Sequence, residues 1–212
     1  MSNEQELRVA IAKWGRSLFE RGFTVGSSGN ISVRLDDGYL MTPTNSCMGF
    51  LDPDRLSRLD NEGKHTGGDK PTKELPLHLG FYEGRPSARA VVHLHSTFAT
   101  ALSCLADTDP EDAIPPITPY VVMRVGRVPV LPYARPGSVE VGPVIREHAP
   151  RHAAVLLANH GPVVAGMSLE AAVFAAEELE ETARLVILTR SMDVRRLSAE
   201  QIAELDASFK LR

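Results

Sequence analysis

The first 22 residues carry apolar side chains at the spacing of an amphipathic helix. These apolar positions are Leu7, Ile11, Trp14 and Leu18. Side chains three or four residues apart share one face of a helix, so the pattern predicts a helix with one buried face. Gly22 is expected to end this helix, because glycine is common directly after a helical segment.

Alternating apolar and polar residues then indicate a β-hairpin. Residues 31–35 alternate with the period of two that a half-buried strand shows. Asp37 and Gly38 form a dipeptide typical of tight hairpin turns, and residues 39–41 are predicted to return as the second strand. Residues 60–71 are rich in glycine and polar side chains and are predicted to form a surface loop.

Helices and strands are mixed through the rest of the chain. Predicted helices cover about residues 73–82 with Thr72 as N-cap, 97–104, 138–148, and 169–190 with Ser168 as N-cap. Predicted strands cover residues 90–95, 121–125, 128–131, 153–158 and 163–165. This order implies a single α/β domain over residues 1–212 with a mainly antiparallel sheet.

Composition favours a soluble globular protein. The chain has 212 residues, of which 43% are hydrophobic, enough for a core that needs no disulfides. The net charge of −4 and the lack of a basic stripe disfavour nucleic acid and anionic membranes as partners. The polar N-terminus is unlike a signal peptide, so a cytoplasmic location is expected. Cys47 and Cys104 are predicted to be buried or half-buried thiols rather than a disulfide.

Three histidines lie at the ends of two apolar runs. His93 and His95 follow residues 90–92, and alternate side chains of a strand share a face, so both imidazoles are predicted to point to one side. His160 follows the second run, residues 153–158. Either pattern alone is also typical of a hydrogen-bonded strand end or a turn. Together they favour a catalytic zinc site, in which three imidazoles leave a fourth position open.

Four motifs occur in the order typical of the class II aldolase and adducin family. They are residues 28–32 (SGNIS), 42–44 (TPT), 71–74 (PTKE) and the set His93, His95 and His160. The chain resembles that family along nearly its full length. The resemblance implies a three-layer α/β/α sandwich with a mixed, mainly antiparallel central sheet. It also implies one Zn²⁺ per subunit on the three histidines, and a homotetramer with active sites between subunits.

The resemblance further implies roles for two side chains. Glu74 stands at the position of the family's catalytic glutamate, a general acid/base beside the metal that is also a possible metal ligand. The alternative is an ordinary first-turn glutamate, because helix N-termini favour carboxylates. Tyr120 lies in a segment that resembles the one from which some aldolases take a proton-donating tyrosine of a neighbouring subunit.

Small polar residues in glycine-bearing turns are predicted to bind a substrate phosphate. Such groups suit phosphate oxygens, although each alone is also typical of turns. The predicted substrate-binding residues are Ser27, Ser28, Gly29, Asn30, Thr44, Thr72 and Lys73. Two positions depart from the family pattern. Asn45 stands where relatives often have glycine. Lys73 is either a solvated lysine at the start of the helix or a cation that holds extra negative charge on the substrate.

Residues 68–74, 115–126 and 157–164 resemble most closely the family members that decarboxylate a 3-oxo-tetronate 4-phosphate. The expected reaction is a zinc-dependent loss of carbon dioxide through a metal-stabilised enediolate, which yields dihydroxyacetone phosphate. Two alternatives stay open. Aldol cleavage of a sugar phosphate such as fuculose 1-phosphate, or a related epimerase or dehydratase reaction, is served by the same motifs. A non-catalytic, adducin-like interaction module would need no metal.

Overall fold

Eight strands form one sheet in the computed structural model, which describes residues 4–209. The strands are β1 (Asn30–Leu35), β2 (Gly38–Met41), β3 (Ser57–Leu59), β4 (His65–Gly67), β5 (Ala90–His93), β6 (Val130–Leu131), β7 (Ala154–Leu157) and β8 (Gly161–Gly166). Their order across the sheet is β4-β3-β2-β1-β5-β8-β7-β6, and only the β6–β7 pair is parallel. The two ends of the predicted domain, residues 1–3 and 210–212, lie outside the described residues.

Helices cover both faces of this sheet. They are α1 (Glu4–Glu20), α2 (Leu75–Gly84), α3 (Thr97–Cys104), α4 (Pro119–Arg124), α5 (Val141–His148), α6 (Leu169–Thr189) and α7 (Ala199–Ser208). Val92 of β5 packs in a core with α1, α3 and α6, whereas its neighbour Val91 packs in a second core with α2 and α5. Alternate residues of one strand thus bury opposite faces, and the predicted three-layer α/β/α sandwich is confirmed. Among residues 4–209, no helix combines the length and apolarity needed to cross a membrane.

Residues 121–124 belong to α4 and Val125 caps it, so the predicted strand over residues 121–125 is wrong. Pro119 occupies the first turn of α4, where its missing N–H costs nothing, and Thr118 Oγ1 accepts a hydrogen bond from the Val121 N–H at 3.4 Å. Val121 and Val122 are buried against the helical layer. Capping and tertiary packing therefore outweigh the β propensity of these valines.

Several further boundaries differ from the predictions. Helix α5 begins at Val141 rather than at residue 138, β6 covers only Val130–Leu131 of the predicted 128–131, and β5 ends at His93 rather than at residue 95. The predicted loop 60–71 contains β4, a short strand that pairs with β3 at the edge of the sheet. Helix α2 begins at Leu75, and the Thr72 hydroxyl accepts a hydrogen bond from the Glu74 N–H at 3.2 Å, so Glu74 rather than Thr72 holds the N-cap position. Both cysteines are free, and Cys104 is exposed rather than buried.

Candidate metal and catalytic site

Three imidazoles and one carboxylate converge at one end of the central strands. His93 is the last residue of β5, His95 lies two residues beyond it, and His160 directly precedes β8. Because β5 and β8 are antiparallel neighbours with His93 opposite Val163, the end of one meets the start of the other. Glu74 enters from the start of α2. One possible ligand atom from each of the four side chains lies within 4.8 Å of the others.

The His93 and His95 rings are held neutral, with ring nitrogens that face each other. His93 Nδ1 lies 2.8 Å from the Pro162 carbonyl oxygen, which can only accept, so Nδ1 carries the proton and Nε2 keeps a lone pair. His93 Nε2 lies 3.1 Å from His95 Nε2. Burial lowers the pKa of His93 to about 3, against an opposing effect of Glu74, and burial also lowers the pKa of His95.

This donor set fits a divalent metal ion. The His160 Nε2 atom is buried and makes no hydrogen bond of good geometry within the described residues, although Glu74 Oε1 lies 3.3 Å away. A buried ring nitrogen without a partner destabilises the fold unless a hydrogen-bond donor or a cation faces it. Neutral imidazole is a good ligand for zinc and related transition metals. His93, His95 and His160 could therefore hold such an ion, with Glu74 near enough to be a fourth ligand.

Glu74 is buried, with only 5% of its surface exposed. Its Oε2 accepts a hydrogen bond from Asn30 Nδ2 at 2.8 Å and lies 3.5 Å from His93 Nε2, while Oε1 lies 3.3 Å from His160 Nε2. Burial alone would raise the pKa of Glu74, but its contact with the His160 side chain and the hydrogen bond from Asn30 hold it below its ordinary value. The carboxylate is therefore ionised at neutral pH, the form that can accept a proton.

The residues predicted to bind phosphate divide into two groups. Asn30 and Thr72 are buried, and their side chains bond to Glu74 itself. The others lie in loops or on the surface and are Ser27, Ser28, Gly29, Thr44 and Lys73. In this second group Lys73 is exposed, and its positive charge adds to the effect of burial in lowering the pKa of His95, so a cation lies near the cluster.

The turn that holds Ser27, Ser28 and Gly29 packs against the cluster. The Ser28 hydroxyl donates to the Val25 carbonyl at 2.6 Å, which closes the turn. Gly29 has a φ of +78°, and a Cβ placed on it would lie 3.1 Å from the His93 carbonyl oxygen. A glycine is needed here both for the left-handed backbone and for the close approach to His93.

Two asparagines adopt left-handed backbone near the site, each with a φ of 56°. Asn159 directly precedes His160 and turns the chain between β7 and β8. Asn45 follows the TPT motif, at the position where the family often has glycine. Asparagine is one of the few residues other than glycine that accept this conformation. The departure at Asn45 therefore leaves the backbone of this loop compatible with the family pattern.

Tyr120 lies apart from the cluster within one chain. It is on α4, is 54% exposed, and lines a surface cavity with Phe23, Arg124 and Phe174. None of the four clustered side chains lines that cavity, as far as the described residues show. A role for Tyr120 at the site therefore requires a second subunit.

A second layer of polar residues behind Glu74 was absent from the sequence-based predictions. His78 lies 2.5 Å from Asn30 Oδ1, and Ser32 links His78 to Tyr82. One signal in the sequence could have pointed to it. His78 interrupts the apolar first turns of α2, four residues after Glu74, and therefore lies on the same side of the helix.

Comparison with known proteins matches the chain to one family over most of its length. The family described as Class II Aldolase and Adducin N-terminal domain matches residues 9–187. A 3-oxo-tetronate 4-phosphate decarboxylase from Pectobacterium atrosepticum is 53% identical, over 97% of this chain and 94% of its own. The crystal structure of YgbL from Klebsiella pneumoniae superposes with a TM-score of 0.94 at 49% identity, covering 97% of this chain and 100% of that one. An L-fuculose phosphate aldolase from Escherichia coli is 35% identical, over 89% of this chain and 87% of its own.

Proposed function

Because the chain belongs to the class II aldolase and adducin family, we propose that it is a carboxy-lyase that converts a 3-oxo-tetronate 4-phosphate to dihydroxyacetone phosphate and carbon dioxide. One observation carries the choice of reaction. Identity is 53% to a decarboxylase of this name and 35% to an aldolase of the same family, each over most of the chain. The buried cluster of three histidines and Glu74 supplies side chains suited to this chemistry.

Zn²⁺ is the metal that we propose for His93, His95 and His160. Three imidazole nitrogens are the ligand set of many catalytic zinc sites, in which a further position stays open for the substrate. When bound there, the ion would supply a Lewis acid that draws electron density from the substrate's ketone oxygen. Glu74 as an additional ligand in the resting state stays a prediction.

Glu74 is proposed to move the proton that the reaction requires. Decarboxylation breaks the bond between the carboxyl carbon and C2, and C2 must then gain one proton. Because Glu74 is ionised, it must first take up a proton from water before it delivers one to C2. Asn30 occupies Oε2, so Oε1 is the oxygen left to carry that proton.

The charge on the substrate explains the surroundings of the cluster. A 3-oxo-tetronate 4-phosphate carries a carboxylate and a phosphate, and Lys73 offers an exposed cation beside Glu74. Thr44 and the turn with Ser27, Ser28 and Gly29 are proposed to bind the phosphate. Asn30 and Thr72, which were predicted for that role too, are better placed to hold Glu74.

We also propose that the protein is a cytoplasmic homotetramer whose active sites lie between subunits. Tyr120 of a neighbouring subunit would then reach the site and donate a proton, which fits its exposure on α4. An isolated chain leaves this side chain outside the cluster, so assembly and activity are expected to depend on each other.

Side-by-side assays of two substrates test the choice of reaction. Zinc-loaded protein is given 3-oxo-tetronate 4-phosphate in one reaction and fuculose 1-phosphate in another, and carbon dioxide and aldehyde are measured in both. Release of carbon dioxide from the first substrate alone is expected. Release of an aldehyde from the second alone would establish the aldolase instead. A metal-loaded protein that turns over neither substrate would favour the non-catalytic module.

A further inference from the structure

A buried line of hydrogen-bonding side chains leads away from Glu74, behind the metal ligands. In order from Glu74 its members are Asn30, His78, Ser32 and Tyr82. Asn30 Nδ2 donates to Glu74 Oε2 at 2.8 Å, and His78 Nε2 lies 2.5 Å from Asn30 Oδ1. Ser32 Oγ lies 2.7 Å from His78 Nδ1 and 2.8 Å from Tyr82 Oη. All four side chains are buried, so water does not compete for these bonds.

The chemistry of the atoms fixes the direction of every bond in this line. The Glu74 carboxylate only accepts, so Asn30 turns its amide nitrogen to Glu74 and its oxygen to His78. That oxygen also only accepts, so His78 carries its proton on Nε2. Burial lowers the pKa of His78 to about 4, so the ring is neutral and Nδ1 accepts from the Ser32 hydroxyl. The Ser32 oxygen in turn accepts from the Tyr82 hydroxyl.

We propose that His78 is a positioning residue, which acts through Asn30 and is itself held by Ser32 to fix the Glu74 carboxylate toward the three metal-binding imidazoles. Asn30 and Ser32 are alternate residues of β1 and share a face, and His78 is one turn beyond Glu74 on α2. The hydrogen-bonded line therefore connects α2 to the sheet next to the Glu74 carboxylate. Aligned donors reinforce one another and stabilise the anion at their end. The inference rests on the proposed role of Glu74 in proton transfer.

The tautomer of His78 gives a test that needs neither substrate nor turnover. Protein with ¹⁵N-labelled histidine is studied by long-range ¹H–¹⁵N NMR at neutral pH, and the His78 signals are assigned by their loss in His78→Gln. A proton on Nε2 and an unprotonated Nδ1 are expected. A proton on Nδ1 would overturn the proposed direction of the hydrogen bonds in the line, whatever reaction the protein catalyses.

Kinetic measurements test whether the hydrogen-bonded line positions Glu74 or only stabilises the fold. Ser32→Ala removes the donor to His78 Nδ1 with little change in volume. Tyr39→Phe is the matched control, because Tyr39 stacks on Tyr82 with ring centroids 4.9 Å apart but is not a member of the hydrogen-bonded line. Loss of such supporting partners commonly costs about tenfold or more in activity, so kcat of Ser32→Ala should fall about tenfold with KM and bound metal unchanged. The control should keep the wild-type kcat.

Rescue by a conservative change separates the outcomes further. His78→Gln keeps an N–H that can point at Asn30, whereas His78→Leu keeps none, so the glutamine variant should retain the higher kcat. A Ser32→Ala protein that keeps both its metal and its kcat would refute the positioning role. If the wild-type protein shows no lyase activity, the proposed function fails, while the NMR result still decides the direction of the hydrogen bonds in the line.

Discussion

Replacing Gly29 by alanine should destabilise the protein and disturb the metal site. Gly29 has a φ of +78°, and an added Cβ would lie 3.0 Å from Thr24 Oγ1, 3.1 Å from the His93 carbonyl oxygen and 3.3 Å from Met48 Cε. All three distances are shorter than ordinary van der Waals contact. The change therefore combines a backbone penalty with local overpacking against His93.

Gly26 offers a control that separates the two effects. Its φ is +57°, but a Cβ placed there meets nothing within 4 Å. Left-handed backbone costs a non-glycine residue about 1–2 kcal/mol, so Gly26→Ala should lower the free energy of unfolding by about that amount. Overpacking adds about 1–3 kcal/mol, so Gly29→Ala should lose about 2–5 kcal/mol in all.

Urea unfolding of the metal-free proteins measures this difference, and zinc titration measures its effect on the site. Gly29→Ala should bind zinc more weakly than Gly26→Ala, because its new methyl group pushes on the backbone of His93. Equal losses of stability in the two variants, with equal zinc affinity, would show that the close approach of Gly29 to His93 affects neither stability nor zinc binding.

Three further changes probe the site itself. Glu74→Gln should keep the metal on its three imidazoles but lower kcat by about a hundredfold or more, the usual scale for a lost general acid/base, and a near-wild-type rate would remove Glu74 from the mechanism. His93→Ala should lose zinc and activity together, as followed by metal analysis and rate, and stoichiometric zinc in that variant would refute the ligand assignment. Tyr120→Phe should lower kcat without loss of metal, and mixing it with Glu74→Gln subunits should restore activity at sites that combine the intact residues of both. Hybrids with no more activity than either parent would argue against a shared site.

Most helices could be predicted because their signals are local. The spacing of apolar residues in α1 and the Ser168 cap of α6, whose side chain accepts from the Ala171 N–H at 3.1 Å, depend only on neighbouring residues. The segment 121–125 was mistaken for a strand because packing against other helices decides its conformation. Strand β4 was missed because its residues are exposed or half-buried and carry no alternating apolar pattern.

The sequence predicted the side chains of the metal-binding cluster but not the residues that support them. Two apolar runs end at His93, His95 and His160, and three imidazoles are the ligand set of a catalytic zinc, so the sequence favoured a metal site on these residues. The support of Glu74 by Asn30 and His78 was not predictable in this way. These contacts join residues 44 and 48 positions apart, and no local pattern states which helix packs over which face of β1.

The most direct test of the proposed decarboxylation is a stoichiometric assay in deuterium oxide. Zinc-loaded protein is given 3-oxo-tetronate 4-phosphate, and carbon dioxide and dihydroxyacetone phosphate are quantified together by mass spectrometry after a short reaction. We expect equal amounts of the two products, with one solvent-derived deuterium on the carbon that lost the carboxyl group. No carbon dioxide from protein that holds one zinc ion per subunit would contradict the proposed function.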